Sequence, residues 1–439
     1  MSIIKIIPAK DLSSDFFEPR AFADDTAGIV SNIINRVRQG GDDALYELSA
    51  RFDSATPVRL EVDSQDLAQA ADNLRKKQSE LYDALCYSRD LALRFARRQK
   101  QCFSDFEEEL EPGLFTGQRT IAVDRAGLYV PAGRFPLLST VIMTSAPALA
   151  AGCGEVVLCT PPRPHPDGSK NPYGDEGILA AACLCGVHRV FACGGAQSIA
   201  AMAYGTESIP RCDVIVGPGN KFVAEAKRQV YGTVGIDMLA GPTEVFIIAD
   251  GTAHPDWVAA DMLAQAEHDP DAQAVLATPD ENFALAVAAE LEQQLKNLAT
   301  RETASQSIGR NGCIIITKDL EEAAGLANKK APEHLELALN EGAELKKLEA
   351  LVHNYGSLFI GHGSAEVLGD YAAGLNHTLP TSTSARFTGG LSVRCFLKTV
   401  TTLRTVPGST GQIRSASAAG FLGDAEGLAA HAAAARIRL

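Results

Sequence analysis

Glu333 and His334 stand side by side in Ala-Pro-Glu-His-Leu-Glu-Leu (331–337). A carboxylate and an imidazole at one point can supply two proton-transfer functions. Other short clusters of the same kind surround the pair in sequence. Gln265 and His268, in Gln-Ala-Glu-His, fall three apart at the end of an expected helix and so share a face. Such a pair offers an amide oxygen and an imidazole nitrogen to a zinc ion, or forms an ordinary helix-end surface. Asp370 and His377 lie in one Gly-rich stretch, and His431 follows Glu426 by five residues near the C-terminus. The other histidines, His165, His188, His254, His353 and His362, read as surface or loop positions.

Two turns could hold an anion. Gly-Gly-Ala-Gln-Ser (194–198) and Gly-Pro-Gly-Asn (217–220) each follow an apolar run and precede a helical one. Backbone N–H groups at such turns can bind phosphate, and ligands of open α/β sheets collect at the carboxyl ends of parallel strands. The same turns are also ordinary strand–helix punctuation. Neither matches the G-x-G-x-x-G dinucleotide fingerprint.

The elements that must position these residues alternate. Strands are expected at 119–130, 155–159, 189–192, 213–216, 245–249, 274–278, 312–316 and 357–361. Helices are expected at about 140–151, 176–186, 196–204, 221–231, 255–266, 281–299 and 319–327. Short apolar strands alternating with helices imply βαβ units and parallel sheets. The N-terminal part is helical: 24–52, capped by Asp24 or Asp25 and interrupted at Gly40-Gly41, then one or two helices over 64–100. Two α/β layers follow, one over roughly 130–240 and one built from the chain on either side of it. Residues 378–415, rich in Thr, Ser, Gly and Arg, break the alternation. Residues 416–439 read as a helix–strand tail that reaches onto a neighbouring subunit.

Composition narrows the class. A chain of 439 residues exceeds one ordinary domain. Hydrophobic residues at 46% and charged residues at 21% suit a globular protein in water. No apolar run approaches the length of a membrane span, and the N-terminus lacks a secretory h-region. A net charge of −14 without a Lys/Arg block argues against a nucleic-acid partner. The ten cysteines are scattered beside apolar residues with no Cys-x-x-Cys pair, as expected of buried thiols in a reducing cytoplasm.

Taken together, the motifs resemble the histidinol dehydrogenase family over nearly the whole chain. The blocks are Gly-Leu-Tyr-Val-Pro (127–131), Gly-Gly-Ala-Gln-Ser-Ile-Ala-Ala (194–201), Val-Gly-Pro-Gly-Asn-Lys-Phe-Val (216–223) and Ala-Gly-Pro-Thr-Glu-Val (240–245). They continue through Gln-Ala-Glu-His (265–268), Ala-Pro-Glu-His-Leu-Glu (331–336), Gly-Asp-Tyr-Ala-Ala-Gly-Leu-Asn-His-Thr-Leu-Pro-Thr (369–381) and Glu-Gly-Leu-Ala-Ala-His (426–431).

The resemblance implies an α/β fold of two Rossmann-like, doubly wound domains with an incomplete fingerprint, plus a small C-terminal appendage, in an intertwined homodimer. Residues 1–129 and 241–380 would form the first domain, with the N-terminal helices and the zinc and catalytic residues. Residues 130–240 would form the second, with the NAD contacts, and 381–439 a dimerisation tail. Gln265, His268, Asp370 and His431 would ligate one zinc per subunit and also touch substrate. Glu333 and His334 would be catalytic, with His334 against substrate as well. Tyr129, Gln197 and Asn220 would contact NAD. Thr243, His377 and Glu426 would line the substrate. The implied reaction is a four-electron oxidation of L-histidinol through L-histidinaldehyde to L-histidine, the last step of histidine biosynthesis, with two NAD used in turn.

Ala132, Arg134, Thr243, Leu375 and Arg394-Cys395 depart from the usual family pattern. Arg134 in particular would suit an anionic substrate, so a paralogous zinc/NAD alcohol dehydrogenase acting on a small polar alcohol such as dihydroxypropane sulfonate is the alternative. A non-catalytic binding protein on the same scaffold would be expected to lack Glu333, His334 or a metal ligand, and none is missing.

Overall fold

A computed structural model of the chain describes residues 3–19, 26–132 and 136–439. The expected caps Asp24 and Asp25, and Arg134, lie outside the described residues. Fourteen strands are described in chain order: β1 (Lys5–Pro8), β2 (Phe106–Glu111), β3 (Leu114–Ala122), β4 (Arg125–Tyr129), β5 (Glu155–Thr160), β6 (Arg189–Ala192), β7 (Val214–Val216), β8 (Gly235–Ile236), β9 (Glu244–Ala249), β10 (Gln273–Thr278), β11 (Cys313–Ile316), β12 (His334–Ala338), β13 (Ser357–Ile360) and β14 (Leu397–Thr405).

Two parallel sheets carry the fold. The larger runs β1-β11-β10-β9-β12-β13 and the smaller runs β6-β5-β4-β7-β8. Apart from β1 at one edge, both follow the doubly wound order in which the chain starts in the middle, steps outward, then crosses to the other side. The crossover falls between β9 and β12 in one sheet and between β4 and β7 in the other. Both faces of each sheet are covered, which explains their near-continuous apolar strands. In β9, Val245 and Ile247 pack on one face while Phe246 and Ile248 pack on the other. In β5, Val156 and Leu158 face one way and Val157 and Cys159 the other.

Several expectations need correction. The single strand 119–130 is two strands in different sheets. β3 pairs antiparallel with β2 and β14, whereas β4 pairs parallel with β5 and β7. Asp124 and Arg125 mark the break, with the Arg125 N–H bonded to the Asp213 carboxylate (2.8 Å). By contrast, the helical stretch Ala27–Phe52 is interrupted at Gly41 as expected: the backbone there is non-helical (φ 50°, ψ −133°), a conformation that glycine tolerates. This helix and its successors Ser64–Lys77 and Ser79–Lys100 pack on the five-stranded sheet, not beside the six-stranded one. The helix expected over 281–299 ends at Leu295, and a further helix spans Arg301–Asn311. The polar stretch 378–415 contains β14. The tail ends in two helices, Thr410–Ala425 and Ala429–Arg436, with no terminal strand. The first of them packs on the β2–β3 hairpin, and Ala432 of the second lies against Gly423 of the first.

Candidate active site

His334 opens β12 directly after Glu333, and Glu244 opens β9 directly after Thr243. The site therefore sits at the amino edge of the six-stranded sheet, at its crossover. Glu333 and His334 are 5% and 3% exposed. Glu333 Oε2 accepts from the Thr243 hydroxyl (2.5 Å) and from the Glu244 N–H (3.0 Å). His334 Nδ1 donates to the Glu244 carbonyl (3.2 Å). One residue of β9, Glu244, thus holds both side chains through its two backbone groups, and its bond to Nδ1 fixes the imidazole tautomer with the Nε2 lone pair outward.

Proton order runs on through the neighbours. Thr243 gives its only hydroxyl hydrogen to Glu333, so its oxygen must accept from Gln265 Nε2 (2.7 Å). That orients the Gln265 amide and leaves Oε1, a buried acceptor, without a hydrogen-bond partner. His334 Nε2 lies 3.6 Å from Asp370 Oδ1 and likewise has no hydrogen bond. His377 Nδ1 donates to the Asp370 carbonyl (3.1 Å), and its Nε2 meets the hydroxyl of Thr140 (3.2 Å). Thr140 belongs to the helix Leu138–Ala151 that follows β4, so the site is closed from the other sheet.

The field here is strongly negative. Burial pushes the Glu333 carboxyl up to about 7, against the pull of His334 and its two hydrogen-bond donors. Burial works to lower the His334 pKa, yet Glu333, Glu366 and Asp370 more than offset it and hold the imidazole well above its ordinary value. His268 is surrounded by protein while its ring stays open to solvent; that bulk lowers its pKa despite Asp370 nearby. Burial lowers His377 as well. Asp370 stays below the usual carboxylate range, because His334 outweighs its burial.

Gln265 and His268 lie at the C-terminal end of the helix Pro255–Ala266, and Asp370 near the end of the helix Glu366–Tyr371. An orphaned amide oxygen, an imidazole and a carboxylate are a donor set that suits zinc. Among the described residues no three His, Cys, Asp or Glu converge to hold a metal by themselves. The remaining candidates do not complete the set. Glu426 and His431 are exposed on the tail, and their side chains make none of the contacts that join the buried residues.

The expected NAD residues gather at the carboxyl edge of the five-stranded sheet. Tyr129 ends β4, its hydroxyl accepts from Gly195 N–H (3.2 Å), and burial raises its pKa. Gln197 is 3% exposed, and its side chain stands beside the buried Asp53 carboxyl. Asn220 caps the helix Lys221–Val230 through Phe222 N–H (3.0 Å) and Val223 N–H (3.2 Å). Gly217 approaches Tyr129 so closely that a Cβ would lie 2.1 Å from its carbonyl oxygen. The buried pair Lys227–Asp237 holds both backbone groups of Gly217, at 3.0 Å and 2.8 Å.

Sequence reasoning missed Glu244, Glu366 and Glu336. The last two stack buried carboxyls behind His334, and burial pushes Glu336 up to about 8. A signal existed for Glu336: it alternates with His334 on one face of a strand whose other residues are apolar.

A model of the histidinol dehydrogenase family matches residues 18–439. The chain belongs to the histidinol dehydrogenase family. It is 47% identical over 404 residues to a histidinol dehydrogenase of Thermus thermophilus, covering 92% of each chain. It is 44% identical over 413 residues to one of Aromatoleum aromaticum, covering 93% of this chain and 90% of that one. The crystal structure of histidinol dehydrogenase from Elizabethkingia anophelis superposes with a TM-score of 0.91 at 33% identity, covering 100% of this chain and 98% of that one.

Proposed function

We propose that the chain is a histidinol dehydrogenase, an oxidoreductase that oxidises L-histidinol through the aldehyde to L-histidine in histidine biosynthesis. The observation that carries this reading is the single β9 residue, Glu244, that holds Glu333 by its backbone N–H and His334 by its backbone carbonyl. It gives the two side chains separate jobs. His334 presents Nε2 as the base that takes the alcohol proton as hydride leaves, and does so again at the second oxidation. Glu333 uses one oxygen for its two donors and keeps the other for the water that must add to the aldehyde. When bound, NAD accepts the hydride in each step and zinc holds the substrate in place.

Gln265, His268 and Asp370 would hold zinc, and the orphaned Gln265 oxygen supports this. A cation there would take Asp370 out of the field on His334 and bring the imidazole back toward its ordinary range. Tyr129, Gln197 and Asn220 would hold NAD beside two helix N-termini. Thr243 and His377 would line the substrate. In a homodimer, Glu426 and His431 would reach the partner's site. The tail's exposed apolar residues, Phe421 (72%) and Ile437 (83%), support a partner surface. Among the described residues no helix is long and apolar enough to cross a membrane. With ten free cysteines, a cytoplasmic location is proposed.

Relatives named histidinol dehydrogenase at 44% and 47% identity favour histidinol over a paralogous alcohol. NADH formation followed by absorbance, with L-histidinol and dihydroxypropane sulfonate compared, tests the reading. Turnover of histidinol is expected; turnover of the sulfonate alone would overturn it.

A further inference from the structure

Lys330 and Glu244 are among the most deeply buried charged residues of the molecule, 1% and 2% exposed, and they pair with each other. Lys330 Nζ lies 3.0 Å from Glu244 Oε2. The other carboxylate oxygen accepts from the Ser382 N–H (3.1 Å), and the ammonium donates to the Phe16 carbonyl (3.4 Å) above the Phe16 ring. The carboxylate and the ammonium are thus each held twice.

A buried ion pair is poor evidence for stability, since desolvation consumes most of the Coulomb gain. Its position suggests another use. Glu244 is the residue whose N–H holds Glu333 and whose carbonyl holds His334. Lys330 ends the helix Leu320–Lys330, three residues before Glu333. Between them Ala331 adopts a left-handed conformation (φ 51°), and Pro332 follows. A non-glycine residue keeps such a conformation only when its surroundings enforce it. The ion pair ties the start of β9 to the turn that enters β12, and through Ser382 to the loop beyond Pro380.

We propose that Lys330 and Glu244 are positioning residues for the reaction: their ion pair anchors the Glu244 side chain and so holds its backbone N–H and carbonyl where they grip Glu333 and His334 in separate roles. This rests on the proposed catalytic use of Glu333 and His334. Loss of the pair lets the backbone at Glu244 shift, so both groups drift from the substrate. Displacement on that scale lowers turnover without touching the cofactor edge.

The test uses the zinc-loaded enzyme and compares Lys330→Met, Lys330→Arg, Glu244→Gln and the Lys330→Met/Glu244→Gln double variant. Lys330→Met and Glu244→Gln are each expected to lower kcat by about 10- to 100-fold. The KM for NAD, NADH binding by fluorescence and zinc content should stay within about twofold. The pH profile of kcat should shift, because Glu333 and His334 lose their shared support. Lys330→Arg should recover much of the loss, and the double variant should lose no more than the worse single one. A lowered melting temperature with unchanged kcat and pH profile would overturn the proposal. If Lys330→Met fails to fold, Lys330→Arg and Glu244→Gln still decide: kcat and pH profile unchanged in both overturn it. Glu333→Gln and His334→Ala serve as controls. If they keep turnover, the catalytic reading fails; if they lose it while the Lys330 variants do not, only this proposal fails.

Discussion

The two parallel sheets share a strand order and use opposite edges. In the five-stranded sheet the candidate cofactor residues stand where β4 and β7 end, and two helices begin there, Gly195–Tyr204 and Lys221–Val230. In the six-stranded sheet the candidate catalytic residues stand where β9 and β12 begin, and the helices Pro255–Ala266 and Leu320–Lys330 end there. A helix N-terminus carries partial positive charge and free N–H groups; a C-terminus carries partial negative charge. One edge therefore suits the phosphates of a dinucleotide. The other suits cations: Lys330, a metal beside Gln265 and His268, and a substrate ammonium. On the proposed reading, an anion site and a cation site come from one doubly wound plan presented from its two ends.

The comparison breaks first at the catalytic edge. His334→Ala removes the proposed base there, and NADH formation from histidinol should fall by about 100- to 10,000-fold. Zinc content by mass spectrometry and NADH binding by fluorescence should hold, because neither edge loses a ligand. Unchanged turnover would reject His334 as the base.

A smaller effect belongs to the other edge. Gly217→Ala places a Cβ against the Tyr129 carbonyl at a backbone φ of 120°. Strain of that kind costs about 1–3 kcal/mol, so NADH affinity should fall roughly tenfold. Zinc content and the pH profile of kcat should not move. A change in zinc content would mean that the two edges are not independent.

Much of this was legible before any coordinates. The strands of both sheets announced themselves as short apolar runs, since burial on both faces leaves little room for polar residues. What was hidden has physical causes. β12 was read only for its chemistry, because His334 and Glu336 interrupt the apolar run. β2 and β14 are largely solvent-facing, so Phe-Glu-Glu-Glu-Leu-Glu (106–111) carries no burial signal. Lys330 lies beyond the helix expected over 319–327 and carries no signal of its own, because its burial depends on Phe16, over three hundred residues away. The site residues were found, but not the edge they occupy. That depends on strand direction, which a motif does not encode.

The smallest effect probes how far the negative field of the catalytic edge extends. The buried glutamates Glu244, Glu333, Glu336 and Glu366 all lie on the six-stranded side. Glu336, two residues beyond His334, accepts from the Glu366 N–H (2.8 Å), which glutamine can also do. Its carboxyl is raised from 4.5 to about 8, by burial first and by Asp261 second. Below the unfolded value both states hold the proton. Between the two values the folded chain keeps a proton that the unfolded chain has lost, so stability falls as pH rises toward about 8. Above that pH the fold carries the cost of a buried charge in full. Glutamine stays neutral throughout. Glu336→Gln should therefore match the parent near pH 5 and melt about 1–3 °C higher at pH 9, measured by calorimetry on the zinc-loaded enzyme. A difference that does not grow with pH would mean that the field fades before it reaches the second residue of the strand face.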